Sequence, residues 1–163
     1  MDHLWTPWRM TYLQSNAPKP DGCLFCNAAA NPDSDSSTYV VHRGRHTFII
    51  LNLYPYNNGH LMIVPFAHAG SIENLPPEAL AEIMNLSQKS LAVLRQAYNP
   101  HGFNIGINIG AAAGAGLPGH VHLHIVPRWS GDNNFMTTLA NTRVIPETID
   151  QTYERLRSLW PDD

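Results

Sequence analysis

The sequence predicts an α+β domain: an antiparallel sheet of about five strands, one long helix and a C-terminal helix. Three observations lead there. Short runs rich in β-branched and aromatic residues are separated by tight turns of Gly, Asn and Pro, which favours antiparallel pairing. Residues 76–97 carry the one strong helical periodicity. A second amphipathic segment lies near the end of the chain, after a further pair of strand-like runs. A doubly wound parallel sheet would require helices between successive strands, and that alternation is missing.

The elements follow in order. Residues 14–38 are rich in Pro, Asn, Asp and Ser and read as loop around Cys23 and Cys26. "TYVVHRGRHTFIILN" reads as two strands joined by a turn at Arg43-Gly44, and "LYPYNNG" as a turn cluster. "HLMIVP" is a short strand ended by Pro65. In "PPEALAEIMNLSQKSLAVLRQA", Leu80, Ile83, Leu86, Ser90, Val93 and Leu94 follow helical spacing, and Pro76-Pro77-Glu78 suits an N-terminus. "GFNIGINIG" alternates as a strand does. A Gly/Ala loop, "AAAGAGLPG", leads into "HVHLHIVP", and "IPETIDQTYERLRSLW" completes the pattern as an amphipathic helix with Pro146 near its start.

The 163 residues suit one domain, divided as an N-terminal extension (1–38), a core (39–128) and a C-terminal helical segment (129–163). An apolar fraction of 44% is that of a globular protein. A net charge of −3 and the lack of any Lys/Arg run argue against a nucleic-acid binder. No apolar run approaches the ~20 residues of a membrane helix, and "MDHLWTPWRMTYLQ" does not resemble a signal peptide. With only two cysteines, spaced Cys-x-x-Cys, the expected compartment is the cytoplasm.

Three of nine histidines fall at alternate positions in "GHVHLHIVPRW". On a strand His120, His122 and His124 share one face, while Val121, Leu123 and Ile125 face the core. Three imidazoles merely covering a sheet would each need a partner once desolvated. Two functional readings stand: a metal site, or covalent catalysis in which a neutral imidazole attacks phosphorus. The nearly side-chain-free loop before the strand favours phosphate, because backbone N–H groups can approach an anion closely, and Arg128 is placed to add charge. Cys23-Leu24-Phe25-Cys26 supports a zinc half-site, a redox pair or two buried thiols. The redox reading lacks its βαβ context, and histidines can complete a zinc set.

"HVHLHIV", with "DGCLFC", "FIILN", "NNGHLMIVPFAH", "GFNIGINIG" and "VPRW" in order, resembles the histidine triad (HIT) superfamily of nucleotide hydrolases and transferases. "LWTPWRMTYL" and "WSGDNNFMTTLANTRVIPET" resemble its diadenosine tetraphosphate (Ap4A) phosphorylase-like, or ATP adenylyltransferase-like, branch. The resemblance implies a HIT-like fold and a homodimer with one continuous sheet. It implies a nucleotide or dinucleoside polyphosphate substrate, with His122 as nucleophile, its tautomer fixed by a backbone carbonyl, and His124 binding phosphate oxygens. It places Asn52 at the ribose, Asn108 near the phosphates, and Trp129 near the nucleotide or dimer interface. The loop Ala115-Gly116-Leu117 stands where many relatives carry a Gln or Ser phosphate ligand, so either backbone amides take that role here or the substrate differs. A structural Zn²⁺ would be held by Cys23, Cys26, His68 and His120, with His60 supporting the triad from behind. Trp5, Pro7, Trp8 and Tyr12 would cap a base pocket or anchor the N-terminus. The competing functions are a non-catalytic nucleotide-binding module, a nucleoside phosphoramidate hydrolase and a metallohydrolase with zinc on the triad.

Overall fold

The structure, a computed structural model, describes residues 22–132 and 146–161. Helix α1 (Leu24–Ala30), a 3₁₀ turn (Pro32–Ser34) and a single turn, α2 (Asp35–Thr38), lead into β1 (Val40–Arg43) and β2 (Thr47–Leu51). Then come β3 (Leu61–Pro65), the long helix α3 (Pro77–Tyr98), β4 (Gly102–Ile107), β5 (Leu123–Arg128) and α4 (Ile149–Leu159). All pairings are antiparallel, in the order β1-β2-β3-β5-β4. The expected α+β class and five-stranded sheet are both present. Trp5, Pro7, Trp8, Tyr12 and most of the segment after the triad lie outside the described residues.

Strands β2 and β3 are buried along their whole length because both sheet faces are covered. Ile49, Leu51, Leu61, Ile63, Leu123 and Ile125 face α3 and α4 in the larger core. The alternate residues Phe48, Ile50, Met62 and Val64 meet Phe25 and Ala28 of α1 on the other face.

This second layer corrects the sequence reading of residues 14–38 as loop. Residues 24–30 and 35–38 are helical. Phe25 and Ala28, one turn apart, are buried against the sheet, and that single contact stripe makes the segment a helix. Two apolar positions are too few to stand out from a Pro-, Asn- and Asp-rich background.

Helix α3 begins with Pro77 at its first position and ends at Asn99, whose φ of 46° is the left-handed conformation of a C-cap. Helix α4 starts in a capping box: Thr148 accepts from the N–H of Gln151, whose side chain accepts from the N–H of Thr148. Glu82 of α3 closes the β1–β2 turn, accepting from the N–H groups of Arg45 (2.8 Å) and His46 (2.7 Å) and from the Thr47 hydroxyl (2.8 Å). Burial works to raise the Glu82 pKa, but these donors outweigh it and hold the carboxyl below the usual range. Gly44 leaves room beside it, since a Cβ there would meet the carboxylate at 2.9 Å and push it off these donors.

Glu82→Ala should therefore lower unfolding stability by about 1–2 kcal/mol, with Glu82→Gln losing less, as read by urea denaturation near pH 7.

Candidate active site

The three triad histidines are not on one regular strand. Only His124 lies within β5; His120 and His122 occupy the segment just before it. The alternation survives, with Val121 and Leu123 in the larger core and His122 on the opposite side against the Phe25 ring, 4.9 Å between centroids.

Each imidazole has a tautomer forced by its neighbours. A carbonyl oxygen can only accept, so the nitrogen facing it must carry the proton. His122 Nδ1–H therefore donates to the backbone oxygen of His120 (2.9 Å), leaving Nε2 with a bare lone pair. His120 Nε2–H donates to the backbone oxygen of Pro65 (2.9 Å), leaving Nδ1 bare. A relay fixes His124. The Tyr56 N–H donates to His60 Nδ1 (3.1 Å), so the proton of neutral His60 is on Nε2. That Nε2–H donates to His124 Nδ1 (2.9 Å), and the His124 proton is left on Nε2. His60 does stand behind the triad, as the sequence implied.

Burial keeps the cluster neutral. It is the main cause that brings His60 down to about 3, helped by the neighbouring His124 and His122. It also brings His124 down to about 4, with His122 as the lesser cause. His122 and His120 are likewise lowered by burial, which outweighs their carbonyl acceptors.

His122 and His124 line a cleft of about 380 Å³. One wall is α1, through Leu24, Phe25 and Ala28, and the other is the 51–56 loop, including Asn52, Tyr54 and Tyr56. Asn108, Gly116 and Leu117 line it as well. Of the predicted nucleotide contacts, Ala115 and Trp129 are not among the lining residues. The Asn52 amide is engaged internally, its oxygen accepting from the Tyr54 N–H at 2.9 Å and its nitrogen lying 3.4 Å from His60 Nδ1.

Arg128 differs from expectation in what it does. Its Nε and Nη2 bind Asp132 (2.6 and 2.9 Å) and its Nη1 binds Asn104 (2.6 Å), so its fork is taken up before any phosphate arrives. Two participants went unread in the sequence. Phe25 was hidden between the cysteines, and Asp132 gave no signal of its own.

Cys23, Cys26, His68 and His120 form the expected cluster, with ligand atoms all within 4.8 Å of one another. His120 Nδ1 lies 3.3 Å from Cys23 Sγ and 3.6 Å from Cys26 Sγ, and His68 Nδ1 lies 3.2 Å from Cys26 Sγ. Zn–S near 2.3 Å and Zn–N near 2.0–2.1 Å give tetrahedral edges of about 3.5 Å, so the donor set and spacing fit a zinc ion. The proton on His120 Nε2 leaves the nitrogen that faces the thiols free to coordinate.

Because the folded histidines resist protonation while an unfolded imidazole titrates near 6.5, the unfolded chain binds more protons below that pH. Unfolding free energy should be flat between about pH 7 and 8, above which the raised Cys26 thiol begins to lower it. It should fall as pH drops from about 6.5 to 5, before the carboxylates contribute. A flat urea midpoint across that window would contradict the neutral cluster.

A HIT domain family model matches residues 34–131, more than half of the chain. The chain is 41% identical to an AP-4-A phosphorylase of Mycobacterium tuberculosis over 169 residues, covering 98% of this chain and 85% of that protein. A zinc-bound histidine triad family protein from Mycobacterium smegmatis superposes with a TM-score of 0.69 at 28% identity, over 85% of this chain and 93% of that one. A hypothetical histidine triad nucleotide-binding protein from Sulfolobus tokodaii gives 0.64 at 27% identity, over 84% and 88%. With its triad, its tautomer-fixing contacts and these relatives together, the chain belongs to the HIT domain family.

Proposed function

We propose that the protein is a nucleotidyl-transferring enzyme that cleaves dinucleoside polyphosphates of the Ap4A type through a covalent intermediate on His122. The observation that carries this reading is the bare Nε2 of His122, made so by the His120 carbonyl, on a side chain that lines the cleft. A neutral imidazole is nucleophilic without losing a proton, and its phosphoryl adduct becomes a good leaving group. In the first step His122 Nε2 bonds to an α-phosphorus of Ap4A while the bridging P–O bond breaks and ATP leaves. His124 Nε2–H donates to the phosphate oxygens as charge builds. In the second step an acceptor oxygen displaces His122 and releases the nucleotide.

The acceptor we favour is inorganic phosphate, in keeping with the named activity of the 41% identical relative. Ap4A and phosphate then give ADP and ATP. Asn52, Asn108, Gly116 and Leu117, which line the cleft, are the remaining proposed nucleotide contacts.

The Cys23, Cys26, His68 and His120 set would hold Zn²⁺ as a closed four-ligand site, which supplies a structural cross-link rather than chemistry. His120 then belongs to the metal, His122 to the bond change and His124 to the phosphate. The exposed edge strand β4 supports a homodimer: Ile105 is 45% and Ile109 41% exposed, while Phe103 and Ile107 beside them pack on the core. Among the described residues no helix is long and apolar enough to cross a membrane. With free Cys23 and Cys26 poised for metal, a cytoplasmic setting fits.

Incubation with Ap4A should yield ADP and ATP only when phosphate is present; AMP and ATP without it would make the enzyme a hydrolase. His122→Asn should lower turnover by about 10⁴-fold or more while nucleotide binding and zinc content persist. The wild-type chain should carry one zinc by metal analysis, and Cys23→Ser with Cys26→Ser should lose it. Sedimentation should give a dimer, and Ile105→Lys a monomer.

A further inference from the structure

Arg128 and Asp132, which do not line the cleft, form a fastening whose far end is the loop that carries His60. The Asp132 carboxylate accepts from Arg128 Nε (2.6 Å) and Nη2 (2.9 Å), from the Trp129 N–H (3.3 Å) and from Asn57 Nδ2 (2.9 Å). Asn57 Nδ2 also donates to the backbone oxygen of Pro127 on β5 (3.0 Å). Asn57 is thus held by its side chain to the end of β5 and to Asp132. With its backbone oxygen it accepts from the N–H of His60 (3.3 Å). One residue earlier, the Tyr56 N–H sets the His60 tautomer, and through it that of His124. His124 itself is on β5, the strand to which Asn57 is tied.

We propose that Asp132 is a positioning residue: by clamping Asn57 against the end of β5, it holds the Tyr56–His60–His124 relay in register and keeps the His124 proton on Nε2, facing the substrate phosphates. Asp132 touches neither substrate nor the triad. Its carboxylate matters because it satisfies several donors at once and ties two chain segments 75 residues apart into one unit. Loss of Asp132 leaves the Asn57 amide with the Pro127 carbonyl but without its carboxylate anchor, so the loop loosens and the Tyr56 N–H can leave His60 Nδ1. His60 can then carry its proton on either nitrogen, and His124 follows. The effect on turnover rests on the reaction proposed above, whereas the effect on the tautomers does not.

The test uses the zinc-loaded full chain with ¹⁵N-labelled histidine. In the wild type, nitrogen shifts should report Nδ1 as the bare nitrogen of both His60 and His124. In Asp132→Ala and in Asn57→Ala the His124 signals should move toward a mixture of tautomers. Turnover of Ap4A with phosphate should fall about 10- to 100-fold, with KM changed less than about twofold. Arg128→Gln keeps the Asn57–Asp132 bond, so it should lower thermal stability with little change in the tautomers. It serves as the control for a merely structural fastening, and Asn57→Ala replaces Asp132→Ala should the latter not fold. Unchanged His124 tautomers in a folded Asp132→Ala or Asn57→Ala protein would overturn the proposal. Shifted tautomers in a protein that never turns over Ap4A would instead overturn the proposed reaction and leave the positioning role standing.

Discussion

The site depends on one asymmetry of the peptide backbone: a carbonyl oxygen accepts and an amide N–H donates, and neither can reverse its role. The oxygens of Pro65 and His120 and the N–H of Tyr56 decide which nitrogen of each imidazole bears its proton. From identical side chains they make an Nδ1 on His120 that faces the thiols, a bare Nε2 on His122 and an Nε2–H on His124, which in our proposal serve the metal, the bond change and the phosphate. Burial completes the arrangement by keeping the cluster uncharged near neutral pH, the state the proposed attack by His122 needs.

The fold serves that arrangement by covering both faces of the sheet. Helix α1 seals the second face with Phe25 and Ala28, and the same short helix follows Cys23 and contains Cys26. The Phe25 ring packs on His120 and His122, while the neighbouring thiols of Cys23 and Cys26 belong to the Cys/His cluster. In our proposal the zinc knuckle and the cleft wall are therefore opposite sides of one seven-residue element, which lets so small a helix keep a fixed place. Seven residues would not hold a helix by propensity alone.

Periodicity made the frame readable. The apolar stripe of α3 and the continuous apolar runs of β2 and β3 state their burial directly, so the element order is visible from residue types alone. The histidine alternation and the Cys-x-x-Cys spacing, with the family resemblance, likewise pointed to His60, His68 and the triad. Two kinds of information were not visible. Helix α1 rests on two buried positions, too few for a periodic signal. Arg128 looked like a free cation because a sequence shows charge but not its partners; Asp132, four residues on, already binds it. Tautomers are invisible for the same reason, since they come from backbone groups that every residue shares.

The central claim is that the His120 carbonyl gives His122 a bare Nε2 that forms the covalent bond. The direct measurement is to mix the protein with Ap4A without phosphate, quench it within one turnover, and map the adenylyl group by peptide mass spectrometry and ³¹P NMR. One adenylyl group per active site is expected, on Nε2 of His122. An adduct on His124 or on Nδ1, or product formation with no adduct at any time, would contradict it.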